Sequence, residues 1–136
     1  MRLTTRSRYG TRLLLDIALH EAAGWVNTTD IARRQNISQK YIEKLISGLR
    51  RNGIVQSKRG PFGGHKLAKP AVDITVGDVV RVLEDSSALD QIPDDAPITD
   101  CADSSECLVQ HVWDNANTVL MRTLDSYRLS DLLRRS

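Results

Sequence analysis

The chain has 136 residues, of which 40% are hydrophobic and 26% are charged, and its formal net charge is +2. This length suits one domain, or one domain with an extension, that buries a hydrophobic core. No apolar run approaches the roughly 20 residues that cross a membrane, and the N-terminus lacks the apolar centre of a signal peptide. We therefore expect a cytoplasmic protein, in which the cysteines act as free thiols or ligands rather than as a structural disulfide.

The small net charge conceals an uneven distribution. Residues 1–81 hold 15 Lys and Arg against 6 Asp and Glu, a net +9, whereas residues 82–136 hold 4 against 11, a net −7. A basic half is what a binder of polyanions requires, because each neutralised phosphate releases counterions. Uneven charge is also typical of an ordinary solvated surface, so the function has to be argued from motifs.

The first predicted helix covers residues 4–23, where apolar residues recur at helical spacing and a glycine follows. An extended link over residues 25–26 leads to a short second helix, with Thr28 or Thr29 as its N-cap. Asn36 tolerates the left-handed conformation that a tight turn between two helices requires.

The third predicted helix is the element that the rest of the chain supports. It begins after Ser38, a good N-cap, runs to Asn52 and stops at Gly53 in a left-handed conformation. One face is apolar and comprises Tyr41, Ile42, Leu45, Ile46 and Leu49. The opposite face is polar and comprises Gln39, Lys40, Glu43, Lys44, Ser47, Arg50 and Arg51. This pair of helices predicts a helix-turn-helix, whose second helix enters the DNA major groove.

A β-hairpin is predicted directly after this helix. Its strands cover residues 54–57 and 65–68, and the loop between them holds three glycines and a proline. We reject a nucleotide-binding loop here, because no GK[ST] motif follows and no helix opens behind the glycines. The hairpin is therefore interpreted as the wing of a winged helix, with His65 on the wing and His20 on the first helix as surface residues.

Beyond the wing, Thr75 and Asp78 are spaced as a capping box for a core helix. The side chains that this helix is expected to bury are Val76, Val79, Val80 and Leu83. An irregular acidic region over residues 86–106 follows, and a polar segment of this length is usually functional or disordered.

The last long helix is predicted from Cys107 to Tyr127. Its apolar face is wide and lies far from the predicted DNA-reading unit, so we expect a second copy of the chain to cover it. Ser130 is the predicted cap of a short terminal turn.

Several longer motifs cover nearly the whole chain. MRLT-x2-SRYG opens it, S-x2-YIEKLISGLRRNGIVQSKRGPFGG spans the third helix and the wing, ITVGDVVRVLED follows, and CLVQHVW and YRLSDLL complete it. In these motifs the chain resembles the bacterial winged-helix regulators of the IscR, NsrR and CymR type. The resemblance implies a homodimer with crossing C-terminal helices and two winged heads on an inverted-repeat operator. It also implies that some members hold an iron–sulfur cluster in the loop before the last helix.

The cluster-binding members of that family usually carry three cysteines spaced six residues apart. Cys101 and Cys107 match the second and third positions, but Asp95 stands at the first. The histidine expected three residues after the last cysteine is here Gln110, with His111 next to it. The resemblance leaves three alternatives. These are a [2Fe–2S] cluster held by both cysteines with His111, Asp95 or a partner group, a reversible disulfide, or two incidental cysteines.

Twelve residues are the predicted contacts to double-stranded DNA: Thr28, Ser38, Gln39, Lys40, Tyr41, Glu43, Arg50, Lys58, Arg59, Gly60, Gly63 and Gly64. Lys40, Tyr41 and Arg50 are expected to hold phosphates. Gln39 and Glu43 are expected to reach base edges, because Gln matches adenine and Glu accepts from the cytosine amino group. The arginine of the wing tip is expected to enter a narrow A·T-rich minor groove.

The predicted fold is mainly α with a small β wing. Residues 1–84 form a winged helix-turn-helix DNA-binding domain, 85–106 an acidic sensor loop, and 107–136 a dimerisation helix with a C-terminal turn. The predicted function is a dimeric transcription regulator whose DNA affinity follows an iron–sulfur or redox signal. The alternative is a cluster-free regulator controlled by a protein partner or by a thiol/disulfide switch. An enzyme is not expected, since the sequence has no HExxH or CxxC motif and no Ser/His/Asp arrangement.

Overall fold

The computed structural model describes residues 3–84 and 105–135. Over those residues the chain forms six α-helices and one two-stranded antiparallel sheet, so the predicted fold class is confirmed. In chain order these are α1 (Thr5–His20), α2 (Thr28–Gln35), α3 (Gln39–Arg51), β1 (Val55–Lys58), β2 (Gly64–Leu67), α4 (Val76–Glu84), α5 (Ser105–Asp125) and α6 (Leu129–Arg134). No helix within the described ranges is both long and apolar enough to span a membrane.

The core is formed by α1, which packs against α2, α3, α4, α6 and β2. Leu13, Leu14 and Ile17 of α1 are completely buried, and each such side chain contributes about 1.5–3 kcal/mol relative to an exposed one. The Thr4 hydroxyl caps the helix by accepting from the backbone N–H of Arg6. The single helix predicted over residues 4–23 is in fact α1 followed by a separate 3-10 turn.

The second helix begins one residue earlier than predicted. Asn27 is the N-cap, and its side chain accepts from the backbone N–H of Asp30 at 2.8 Å. The prediction that Thr28 or Thr29 caps this helix is wrong, because Thr28 is already the first helical residue and its hydroxyl contacts the wing instead. Asn36 has φ of 56°, which confirms the predicted left-handed turn into α3.

The wing is a two-stranded ladder extended by one bridge. β1 and β2 pair from Val55 with Leu67 to Lys58 with Gly64, and the backbone of Val26 bridges to His65 on the other side of β2. Val55 and Leu67 are buried, so this face of the hairpin lies on the core. The second strand begins and ends one residue earlier than the predicted range of 65–68.

The capping box of α4 is confirmed in both directions. The Thr75 hydroxyl accepts from the Asp78 N–H, and the Asp78 carboxylate accepts from the Thr75 N–H, each at 3.0 Å. The valines and leucine that follow are buried as predicted, except that Val76 is only partly covered. At the end of α4, Glu84 accepts hydrogen bonds from Ser7 and Thr4 and thereby joins this helix to the start of α1.

The last long helix, α5, is 21 residues long and contacts α4 near its own C-terminal end. Among the residues of α5 whose side chains are described, Met121 is the one that is buried. The helix starts and ends two residues earlier than the predicted span from Cys107 to Tyr127.

The terminal helix α6 returns to the core. Leu129 is completely buried and α6 packs against α1. The prediction that Ser130 caps this helix is wrong, since Arg128 occupies the N-cap position and its backbone N–H donates to Asp131 at 3.0 Å. An isolated bridge between Thr75 and Arg128 fixes the start of the helix, which places Ser130 inside it.

Candidate nucleic-acid interface

Helix α3 separates apolar from polar residues cleanly around its axis. Four of the five apolar residues predicted for the inner face are at most 3% exposed: Ile42, Leu45, Ile46 and Leu49. The Ser38 hydroxyl accepts from the Tyr41 N–H at 3.2 Å, so the predicted N-cap is confirmed. Gly53 has φ of 74°, which ends the helix as predicted. The inner face holds the helix on the core and leaves the opposite face for a partner.

The outer face of α3 is polar and exposed. Its exposed residues are Gln39, Lys40, Glu43, Lys44, Arg50 and Arg51. No salt bridge found among the described residues includes Lys40, Arg50 or Glu43. Within the described residues, these three side chains therefore have no ion-pair partner and are available to an external ligand.

Tyr41 lies between the two faces rather than on either. It is half-buried, and its ring meets the ring of Tyr9 edge to face, with centroids 5.9 Å apart and an interplanar angle of 88°. The Arg12 guanidinium lies over Tyr9 and also bonds Gln35 of α2, with Nη2 2.9 Å from the backbone oxygen. The ring contact holds the start of α3 against α1, and the Arg12 hydrogen bond connects α1 to α2.

The wing loop contains glycines at positions where a side chain would clash with the backbone of a neighbouring segment. A Cβ on Gly63 would lie 2.0 Å from the Lys58 carbonyl oxygen, and one on Gly64 would lie 2.5 Å from the Val26 carbonyl oxygen. Gly60 has φ of 110°, a value that favours glycine. Close backbone approach therefore explains this glycine run, and Arg59 is exposed at the tip.

Two wing lysines share one aromatic support. Lys66 Nζ lies 5.1 Å and Lys58 Nζ 6.0 Å from the centroid of the Trp25 ring. Only Lys58 of these three residues was predicted to belong to the site. The alternation of side chains along the two strands is enough to place both lysines on the same face of the hairpin. The position of Trp25 beside them depends on the backbone bridge between Val26 and His65, which could not be predicted from the sequence.

His65 is half-buried, and its interpretation as a surface residue is wrong. Its Nε2 lies 2.9 Å from the Thr28 hydroxyl and its Nδ1 2.7 Å from the Ser57 hydroxyl. Burial lowers the pKa of His65, nearby Arg50 lowers it further, and Glu43 acts in the opposite direction. The sequence did contain an indication that His65 is partly buried. Residues two apart in a strand lie on the same face, and His65 precedes buried Leu67 by two residues.

A buried ion pair holds α2 against α1. Asp16 is 2% exposed and accepts from Arg34 Nε at 2.9 Å, from Arg34 Nη2 at 2.7 Å and from Gln35 at 2.9 Å. Burial raises the pKa of Asp16, but the hydrogen bonds from Arg34 and Gln35 outweigh it and leave the pKa below its usual range. The first helix of the helix-turn-helix is thereby fixed relative to the core.

The predicted metal ligands are only partly within the described residues. Cys107 is half-buried in the first turn of α5 and is disulfide-bonded rather than a free thiol. His111 lies one turn further along the helix and is exposed, while Gln110 bonds Asp114 at 2.8 Å. Cys101 and Asp95 lie outside the described residues. Within residues 3–84 and 105–135, no group of three or more metal-ligating side chains comes together.

These elements define a winged helix-turn-helix protein, with an outward polar face on the second helix of the motif and a basic wing beside it. The sequence profile of the Rrf2 family, described as iron-dependent transcriptional regulators, matches residues 3–135. The chain belongs to this family of DNA-binding transcription regulators and is not an enzyme.

Individual relatives agree with this assignment. The chain is 47% identical over 134 residues to Protein rrf2 of Nitratidesulfovibrio vulgaris, covering 98% of this chain and 88% of that protein. Among solved structures, IscR of T. potens matches with a TM-score of 0.76 and 35% identity, over 99% of this chain and 88% of that one. CymR, the global cysteine regulator of B. subtilis, matches with a TM-score of 0.76 and 29% identity, over 100% of this chain and 98% of that one.

Proposed function

We propose that this protein is a homodimeric regulator that binds an inverted-repeat operator through α3 and the wing, under the control of a signal received at its cysteines. The observation that carries the DNA-binding part is the separation of faces on α3. Its apolar side is closed by the core, while Lys40, Glu43 and Arg50 project outward without ion-pair partners among the described residues.

Four of the exposed residues of α3 can be matched to parts of DNA. Lys40 and Arg50 are cations suited to phosphate oxygens, whereas Gln39 near the start of the helix suits a base edge. Glu43 is the exception, because a carboxylate is repelled by phosphates and therefore discriminates among bases rather than adding affinity. Exposed Lys58 and Arg59 extend the basic surface along the wing.

The dimer is proposed from the free surface of α5. Five large apolar side chains on this helix are between 53% and 65% exposed: Leu108, Val109, Val112, Trp113 and Val119. A contiguous apolar surface on a folded chain usually marks an interface. The same surface on a second copy is a self-complementary partner, as two-fold symmetry requires.

The test of this part is selection of binding sites from a random duplex library with the purified protein, followed by footprinting. We expect an inverted repeat whose half-sites are separated by about one helical turn or a multiple of it. Sedimentation at micromolar concentration should give a dimer. A protein that prefers no duplex, or that sediments as a monomer, contradicts the respective part of the proposal.

The signal is proposed to act at Cys101 and Cys107. A [2Fe–2S] cluster usually takes four protein ligands. Among the described residues, Cys107 in its reduced form and His111, one turn apart on α5, would supply two of them. These residues alone do not complete such a site, so Cys101, with Asp95 or a partner group, has to supply the rest. The disulfide-bonded state of Cys107 supports the other chemistry, a thiol/disulfide switch.

Anaerobic purification decides between these chemistries. Iron, sulfide and visible absorption that disappear in a Cys101→Ala/Cys107→Ala variant would support the cluster. A colourless protein whose DNA affinity changes with oxidant, and only when both cysteines are present, would support the disulfide. If the double variant binds DNA like the native protein under reduced, oxidised and iron-replete conditions, the cysteines are not the sensor. Copurification of a specific protein would then favour control by a partner.

A further inference from the structure

The imidazole of His65 connects three elements of the DNA-binding face. One ring nitrogen meets Thr28, the first residue of α2, and the other meets Ser57 of β1. The backbone of His65 also exchanges two hydrogen bonds with Val26, at 2.8 and 3.0 Å. With both ring nitrogens and both backbone groups engaged, this residue fixes the wing relative to the first helix of the helix-turn-helix.

The chemistry of a neutral imidazole gives the two hydroxyls different roles. One ring nitrogen donates and the other accepts. The hydroxyl that accepts from the N–H of the ring can still donate its own proton to another acceptor. The other hydroxyl donates its proton to the unprotonated ring nitrogen. Thr28 and Ser57 are each only partly buried, so a hydroxyl oriented in this way can reach an external oxygen.

We propose that His65 is a positioning residue of the DNA-binding face, which holds the hydroxyls of Thr28 and Ser57 so that the one accepting from the ring can donate to a DNA phosphate, and which holds the wing against α2. This inference rests on the proposed DNA contact of α3 and the wing. It adds a residue that was not among the predicted contacts and that acts through two others.

Protonation of His65 gives the proposal a distinctive signature. Among the described residues, the charged groups that act on the ring are Arg50 and Glu43, both on α3, while Thr28 of α2 and Ser57 of β1 contribute hydroxyls. The nearest other charges on packed elements are Glu21, which accepts from the Leu67 N–H of the same strand, and Lys58 and Lys66, which lie over Trp25. In the protonated ring both nitrogens donate, so both hydroxyls keep their protons for phosphates, and the added charge is favourable beside DNA. The pKa of His65 is therefore higher in the complex than in the free protein. Binding then takes up a proton, and affinity rises as pH falls through the pKa that His65 has in the complex.

The experiment measures fluorescence anisotropy with the duplex that the native protein selects, between pH 8 and about pH 5, a range that extends well below the ordinary histidine pKa of about 6.5. His65→Phe keeps an aromatic ring but removes both hydrogen bonds, and His65→Gln keeps one polar contact without titrating in this range. We expect His65→Phe to lower affinity about three- to tenfold, as loss of one or two hydrogen bonds implies, and His65→Gln to restore part of it. The rise in affinity at low pH should shrink in both variants and persist in the control His20→Gln.

A double-mutant cycle separates positioning from general loss of structure. Thr28→Val should weaken binding in the native background and have little further effect in the His65→Phe background, because the contact it removes is already lost. Native-like affinity and pH dependence in both His65 variants would overturn the inference, as would a Thr28→Val effect that is equal in both backgrounds. A native protein that prefers no duplex would instead overturn the proposed function, and the inference with it.

Discussion

Arg81 of α4 and Asp125 at the C-terminal end of α5 form a two-pronged ion pair that connects the winged helix to the long helix. Arg81 Nη1 lies 2.9 Å from Asp125 Oδ1, and the second guanidinium nitrogen contacts the other carboxylate oxygen. Hydrogen bonding from Arg81 is the main reason that the pKa of Asp125 lies below its usual range. The carboxylate also accepts from Thr75, and it lies directly above Gly77, where a Cβ would be 1.9 Å from Oδ1.

Loss of this ion pair should loosen α5 more than it destabilises the fold. Both side chains are about two-fifths exposed, at 43% and 38%, so solvent screening limits the pair to about 1 kcal/mol or less of unfolding free energy. We expect Asp125→Ala to change global stability by no more than this but to speed hydrogen exchange near the end of α5. Asp114→Ala on the exposed middle of the same helix is the matched control. Equal exchange in the two variants would show that the pair does not hold the helix.

The Asp16–Arg34 pair should make stability sensitive to acid. Because the pKa of Asp16 is lowered on folding, its contribution is present above the unfolded pKa of about 3.9 and is lost as pH falls through the folded value. Asp16→Asn should cost roughly 3 kcal/mol at pH 7, as removal of one charge from a buried pair does. When the free energy of unfolding is measured with urea at pH 7 and pH 3, it should fall less between the two pH values for this variant than for the native protein. An equal drop would assign the acid sensitivity to other carboxylates, of which Glu84 is the clearest candidate, since its pKa is also lowered on folding.

The elements that were predicted accurately are those fixed by short-range chemistry. Ser38, Asn36 and Gly53 each act through their own backbone or that of a neighbour within three residues. A side-chain pattern read along the chain therefore contained enough information to place α3 and its turn. The same holds for the capping box of α4, whose partners Thr75 and Asp78 are three residues apart.

The errors arose where a distant residue decided a local choice. Thr28 does not cap α2 because its hydroxyl contacts His65, 37 residues away, and Asn27 takes the cap position. Arg128 rather than Ser130 precedes α6, where Arg128 bridges to Thr75, 53 positions earlier. The interpretation of His65 as a surface residue failed for the same reason, because its hydrogen bonds to Thr28 and Ser57 depend on the packing of the wing against α2.

Even the smallest side chain, the methyl group of alanine, should disrupt the wing when it replaces the hydrogen of Gly63. Alanine there places a Cβ 2.0 Å from the Lys58 carbonyl oxygen, a backbone atom that moves only if the loop moves. We expect Gly63→Ala to reduce DNA affinity about tenfold or more while the rest of the protein stays folded, since overpacking costs about 1–3 kcal/mol. Gly48→Ala, whose Cβ would meet Leu83 at 3.9 Å as its nearest described neighbour, is the matched control. Calorimetric unfolding and operator titration of both variants provide the check.

The three charged positions of the DNA-binding face should differ in what they control. Lys40→Ala should lower affinity for every duplex and reduce the salt dependence of log K by about one unit, because one phosphate contact is lost. Glu43→Ala should broaden base preference with little loss of affinity. Arg59→Ala should weaken binding most where A·T-rich DNA lies under the wing. Titrations against the selected operator, base-substituted operators and random duplex measure all three effects. A uniform loss on every duplex for all three variants would contradict these assignments.

The exposed apolar surface of α5 should be the dimer contact, and a single charge placed on it should split the dimer. Trp113 is 64% exposed on the free face of the helix, whereas Met121 near its end is buried. Trp113→Glu would place a carboxylate opposite apolar side chains of the second copy, and two such charges near a two-fold axis repel each other. Asn115→Glu adds the same charge at an exposed polar position of α5 and is the matched control.

Sedimentation should give a monomer for Trp113→Glu and a dimer for Asn115→Glu, and circular dichroism should show equal helix content. Only the monomeric variant should lose cooperative binding to the full inverted repeat while retaining weak binding to a half-site. A dimeric Trp113→Glu variant with native operator affinity would place the interface elsewhere on the chain.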